Sequence, residues 1–227
     1  PQTTHHRKRN NQKYKPHNTI KPFPQNHIRH NKKLKYSPLL LGTGYDVLMT
    51  NEIFAELKRI FGDENVRKQW DIAKDSRDAY TRKLYCPRVD FAVGPFNIDA
   101  NVKRNNRLIQ EAYQRYQKLL NLLKSYDENK DIELKPNRNP RCFLVIEVEN
   151  RTSRKHRLGS IINASALGKI GIIVASTQKV FESLIKIRKY LEFLEKSRKI
   201  KIAPRNIIIM TMENFLKSLR EWQCDFG

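Results

Sequence analysis

The segment Cys142-Phe143-Leu144-Val145-Ile146-Glu147-Val148-Glu149-Asn150 runs apolar and then sets two carboxylates two positions apart. A continuous apolar run marks a strand covered on both faces. Strand side chains alternate, so Glu147 and Glu149 share a face, with their charges within about 7 Å of each other. Like charges that close, at the end of a buried strand, raise the free energy unless protons or a cation neutralise them. Carboxylate oxygens suit a hard divalent ion such as Mg²⁺, or Mn²⁺ in its place. The alternative is a strand that has already emerged into solvent, with both glutamates hydrated or paired with Arg151 and Arg154. A second isolated acid weighs against it. Asp90 sits in the apolar run Arg88-Val89-Asp90-Phe91-Ala92-Val93, and two strand-borne acidic sites in one basic chain call for a joint explanation. If the two strands are neighbours, three carboxylates converge.

The elements that would position these acids follow from periodicity. A first helix is expected from about Asp46 to Phe61, with Val47, Phe54, Leu57 and Phe61 on one face and Gly62 ending it. A strand near Val66 to Ile72 follows, then a polar loop, then the Asp90 strand, broken at Gly94-Pro95. Phe96 to Ile98 reads as a returning third strand. Arg104 to Tyr126 reads as one long charged helix, followed by a polar connection to Pro140. Beyond it the chain alternates: strand Cys142 to Val148, helix Lys155 to Leu167 stopped by Gly168, strand Ile170 to Ala175, helix Gln178 to Lys196, strand Asn206 to Met210 and a last helix. Such alternation predicts β-α-β units with right-handed crossovers and a largely parallel section of sheet. The helix Ser160-Ile161-Ile162-Asn163-Ala164-Ser165-Ala166-Leu167 is rich in small residues, which permits close packing on the sheet.

Charge points to the partner. The 227 residues carry 45 Lys and Arg against 23 Asp and Glu, a formal net charge of +22, and a field of that sign attracts polyanions, nucleic acid first and acidic membranes a distant second. From Pro1 to about Ser37 there are ten Lys or Arg, five His and no acid. That stretch has too little apolar surface to order itself, so residues 1–40 are expected to be a disordered basic arm. Its Arg7-Lys8-Arg9 and Lys32-Lys33 clusters suit nonspecific phosphate contacts, a targeting signal or simple solubility. Without the arm, 35 basic residues still face 23 acidic ones, a net +12, so residues 41–227 are themselves basic. Cys86, Cys142 and Cys224 are sparse, odd in number and far apart, which argues against a disulfide framework or a CxxC zinc site and for a reducing compartment. No apolar run approaches the roughly 18 residues of a membrane span, and no secretory signal is seen. A soluble intracellular protein, in cytoplasm or nucleoid, is the expectation.

The order helix, Asp-bearing strand, strand ending in acid-x-acid, helix, strand resembles the PD-(D/E)XK nuclease superfamily. Val89-Asp90 and Glu147-Val148-Glu149 stand at its two signature positions, and the resemblance covers about Asp46 to Ala175. It implies a restriction-endonuclease-like α/β fold, a mixed central sheet flanked by helices, with Asp90 and Glu147 holding one or two Mg²⁺ ions that activate water and stabilise phosphorane charge. Glu149 stands where Lys is usual, as in some restriction enzymes of this superfamily, and is expected to act as a base or a further ligand. Asp90 follows Val rather than Pro, and 56 residues separate Asp90 from Glu147, so the helical stretch near 101–140 looks like an insertion. The family commonly sets a glutamate on its first core helix, where this chain offers Glu52 and Glu56. Either is also at home as a solvated helix residue.

After the acids come Arg151, Arg154, Lys155, His156 and Arg157, entering the next helix. They form a candidate phosphate grip beside helix N-H donors, with Lys155 a candidate substitute for the motif lysine. A bland basic loop is the alternative. Rival chemistries find little support. His156 is the only histidine outside the arm, which leaves zinc hydrolase and HNH-like sites short of ligands. No GxSxG elbow appears, and Gly42-Thr43-Gly44 lacks the GK[ST] of a phosphate loop. The expectation is therefore a Mg²⁺-dependent endonuclease, with DNA favoured over RNA and a homodimer left open. The alternative is a binder of nucleic acid that keeps the fold without cleaving.

Overall fold

The computed structural model describes residues 43–75, 87–97, 102–128, 133–151 and 153–222. The expected basic arm and Ile98 lie outside them. The described chain is α/β: helix α1 (Thr43–Phe61), strand β1 (Val66–Trp70), short helix α2 (Ile72–Asp75), β2 (Val89–Val93), α3 (Val102–Arg115), α4 (Gln117–Ser125), β3 (Cys142–Glu149), α5 (Arg154–Leu167), β4 (Gly168–Ala175), α6 (Gln178–Lys196), β5 (Ile207–Thr211) and α7 (Met212–Glu221). The five strands form one sheet in the order β1-β2-β3-β4-β5. β2 runs antiparallel to both of its neighbours, β1 and β3, while β3, β4 and β5 are parallel, joined by α5 and α6 as crossovers.

Alternation divides the sheet's side chains between two cores. Phe91, Ile146, Ile172 and Met210 face α1, α3, α4 and α7. Ala92, Val145, Ile173 and Ile209 face α5 and α6. β3 is apolar on both faces because helices cover both, and each large aliphatic or aromatic side chain withdrawn there contributes about 1.5–3 kcal/mol. α5 lies unusually close to the sheet. A Cβ on Gly171 of β4 would stand 2.5 Å from Ile207 Cδ1 and 2.9 Å from Ala164 of α5, so glycine opposite a small helical residue sets the depth of that helix.

Three local expectations change. The helix foreseen from Arg104 to Tyr126 is two, because Tyr116 leaves helical geometry (φ −98°, ψ 21°) as its buried ring packs between Phe61 (centroids 4.7 Å) and Phe143 (5.7 Å). The spacing of Leu108, Tyr113, Tyr116, Leu119, Leu120 and Leu123 favoured continuity, and core packing prevailed. Phe96 and Asn97 form no strand: Phe96 lies against Trp70, 5.2 Å between centroids, and the Asn97 N–H donates to the Arg141 carbonyl at 2.7 Å. Gly168, foreseen as a helix stop, is also the first residue of β4.

Each outer strand has its own protection. β1 exposes Arg67, Lys68 and Gln69, charge that discourages strand addition. At β5, the Ile209 N–H donates to Asp127 Oδ2 at 2.7 Å. Arg188 of α6 donates twice to the same carboxylate, both at 2.8 Å, with both side chains buried. Asp127 thus ties the end of α4 to α6 across the edge of the sheet. Removing one member of a buried ion pair strands the other. Asp127→Ala should lower the unfolding free energy by about 3 kcal/mol or more in urea titrations. A loss below about 1 kcal/mol would show that the edge is closed by something else.

Candidate active site

Antiparallel register does most of the assembly. β2 pairs with β3 through Phe91↔Ile146 and Ala92↔Val145, and one further step sets Asp90 opposite Glu147. Directly opposed residues share a face, so Asp90, Glu147 and Glu149 all turn toward α5. The Asp90 N–H lies 3.4 Å from Glu147 Oε2. The two acids expected on neighbouring strands are therefore cross-strand neighbours. Both glutamates are 6 % exposed, so the strand has not emerged into solvent at this point. Arg151 and Arg154 are at the surface, and among the described residues neither glutamate forms a salt bridge.

Each acid has its own surroundings. Asp90 is half-buried and accepts from the Val148 N–H at 2.8 Å and from Gln69 Nε2 at 2.7 Å. Gln69 lies opposite Asp90 in the β1–β2 register and has φ 52°, a left-handed backbone costing a non-glycine residue about 1–2 kcal/mol. Glu149 accepts from Ser160 Oγ of α5 at 2.5 Å through Oε1, while its Oε2 is buried without a hydrogen-bond partner. Glu147 is held protonated up to about pH 9, first by burial, then by the negative charge of Asp90 and, less, of Glu149. The Asp90 N–H offsets only part of this.

The donor chemistry fits a hard cation: three carboxylates, one with an orphaned oxygen and one whose ionisation the site opposes. As the side chains stand, no three His, Cys, Asp or Glu among the described residues form a ready metal cage. Asp90 is turned to Gln69 and the Val148 amide, so a cation would have to draw it round.

The basic residues divide. Arg154, Lys155 and His156 are exposed on the first turn of α5, next to exposed Arg151, and the helix cap Ser153 makes no side-chain capping bond. Arg157 turns inward instead. It is buried and donates to the Arg151 carbonyl at 2.7 Å and 3.0 Å and to Ser183 Oγ at 2.5 Å, so it braces the loop rather than offering itself to phosphate. Glu52 pairs with Arg220 of α7 and Glu56 with Arg59 at 2.6 Å, both on α1, which packs on the opposite face of the sheet from the acids. Gln69 and Ser160 were not foreseen. Ser160 was legible only as a small residue of a close-packed helix, and nothing in the run Arg67-Lys68-Gln69 signals a left-handed residue.

Among the described residues, other groups offer no comparable chemistry. Cys142 is buried, and burial holds its thiol protonated, which removes it as a nucleophile. A cleft of about 510 Å³ lies at the far end of the sheet, lined by Glu133, Lys135, Glu192, Glu195, Lys196 and Arg205. Its charges largely answer one another, with Arg205 2.8 Å from Glu195. No described helix is long and apolar enough to cross a membrane.

The raised Glu147 carboxyl has a measurable signature. An ordinary glutamate ionises near 4.5, whereas the folded site keeps this one protonated to about 9. Metal-free stability is therefore undiminished below pH about 4.5 and falls as pH climbs toward 9, by at most about 1.4 kcal/mol per unit. Glu147→Gln should flatten that fall, raising the melting temperature in EDTA at pH 8 by at least about 3 °C and leaving pH 4 unchanged. Equal melting temperatures at pH 8 would contradict the assignment. Comparison of the chain with protein-family models, curated proteins and solved structures gave no match.

Proposed function

We propose that the protein is a divalent-metal-dependent phosphodiesterase acting on nucleic acid, with DNA favoured, built on a restriction-endonuclease-like plan. The observation that carries this reading is the convergence of Asp90, Glu147 and Glu149 from two neighbouring strands onto one face of the sheet, both glutamates buried, with no cationic partner among the described residues. Asp90 and Glu147 would hold the ion, Mg²⁺ or Mn²⁺. A bound ion of this kind supplies an acidified water and charge stabilisation at the phosphoryl oxygens.

The chain's own groups supply the rest. Gln69 and the Val148 amide hold Asp90 beside Glu147 in the metal-free site, and an ion would have to turn its carboxylate from them. Ser160 fixes one Glu149 oxygen and leaves the other available as ligand or proton acceptor. Arg151, Arg154, Lys155 and His156 stand where a phosphate above Glu147 would also meet the free N–H groups of α5. The element order α1-β1-β2-β3-α5-β4, with the acids on β2 and β3, agrees with the family resemblance, and α3 with α4 occupies the long gap between the acids.

A second reading has its own support. Lys155 is exposed on α5 rather than turned among the acids, and Glu149 occupies the usual lysine position, so the chain would bind nucleic acid without cutting it. Incubating supercoiled plasmid with the protein in Mg²⁺, in EDTA, and as the Glu147→Ala variant separates the two. The phosphodiesterase reading expects nicking only by the unaltered protein in Mg²⁺, with a rate loss of about 100-fold or more in the variant. Retardation of plasmid in all three without nicking would establish the binder.

A further inference from the structure

The outward face of α6 is unusual for a solvated helix. At helical spacing, Lys179, Lys186, Lys189, Tyr190, Phe193 and Lys196 fall on one side, and all six are exposed, Tyr190 at 54 % and Phe193 at 60 %. Glu182 lies on that side and Glu192 at its margin, where Lys196 also lines the cleft with Glu192 and Glu195, and Lys189 lies 3.8 Å from Glu128. The inward side, with Val180, Leu184, Ile185, Arg188 and Leu191, is buried. Topology gives the stripe a direction. Glu149 and Ala175 are paired at the ends of β3 and β4, and α6 begins three residues after Ala175. Its 19 residues therefore start at the acidic end of the sheet and run back about 28 Å.

We propose that this face of α6 is a track for single-stranded nucleic acid, with the lysines neutralising phosphates and Tyr190 and Phe193 stacking on unpaired bases. Lysine spaced along a groove or ridge follows a backbone, and exposed aromatics among the lysines accept bases of any sequence. A duplex keeps its base faces stacked and would use the lysines alone. A second copy of the chain would set lysine against lysine across the symmetric contact. The inference shares with the proposed function only a polyanionic partner, and it holds whether or not the acids cut.

The test uses the whole chain in EDTA, so that nothing is cleaved, and follows a labelled strand of about 30 nucleotides and its duplex by fluorescence anisotropy across a salt series. Tyr190→Ala/Phe193→Ala should weaken single-strand binding about tenfold or more and leave the duplex within about twofold. Lys179→Gln/Lys186→Gln/Lys196→Gln should weaken both and flatten the salt slope for the strand by about 2. All substituted positions are exposed, and an unchanged melting temperature verifies the fold. The track is overturned if the aromatic variant holds the strand as the unaltered chain does, or if it loses strand and duplex equally. It is also overturned if sedimentation shows a dimer that the aromatic variant dissolves. Loss of strand binding here, with no plasmid nicking in Mg²⁺, would leave the track standing and remove the hydrolytic reading. Nicking with an unaffected aromatic variant would do the reverse.

Discussion

Three carboxylates held together at the buried ends of β2 and β3 are the constraint to which the rest of the molecule answers. Ionised and unpaired, they repel one another in a setting that solvates them poorly. The fold tolerates this by protonating Glu147, by giving Asp90 an amide and a side-chain donor, and by giving Glu149 the Ser160 hydroxyl. Those partners come from β1, β3 and α5, so the sheet and one crossover helix must be in place before the acids are accommodated. The close approach of Ala164 to Gly171 belongs to the same scheme, because it brings α5 near enough for Ser160 to reach Glu149.

A site of this kind is held by the scaffold at some expense to stability, a common pattern where function requires unfavourable local chemistry. Arg157 has the opposite role. Within a loop rich in cations it faces inward, bonds the Arg151 carbonyl and Ser183, and so fixes the path by which the chain leaves β3 and enters α5. Its exposed neighbours owe their common location to that buried member.

Much of this is legible in the sequence. The apolar run of Cys142 to Ile146, the acids at 90, 147 and 149, and the helix over Gln178 to Lys196 follow from period and composition, because covered strands and amphipathic helices leave distinct patterns. The α/β class and the parallel half of the sheet followed from alternation of elements. What could not be read were features decided by distant contacts. Tyr116 breaks its helix because Phe61 and Phe143 receive its ring. Glu52 and Glu56 are drawn to Arg220 and Arg59 on the far side of the sheet. Gln69 meets Asp90 through a backbone conformation that its residue type does not announce. Arg157 was indistinguishable in sequence from the cations beside it, since burial rather than charge sets it apart.

The two edges of the sheet are protected by unlike means, and that difference decides how the chain would go wrong on partial unfolding. β1 carries its own deterrent in Arg67 and Lys68, which remain charged whatever the neighbouring helices do. β5 is Ile207-Ile208-Ile209-Met210-Thr211, uncharged and rich in β-branched residues, and its outer amide at Ile209 is covered by Asp127 from a separate part of the chain. Once α4 and α6 loosen, that cover departs and leaves a short apolar strand able to template another. Self-association of the stressed protein would then grow from β5, in a cross-β register that the native fold never uses.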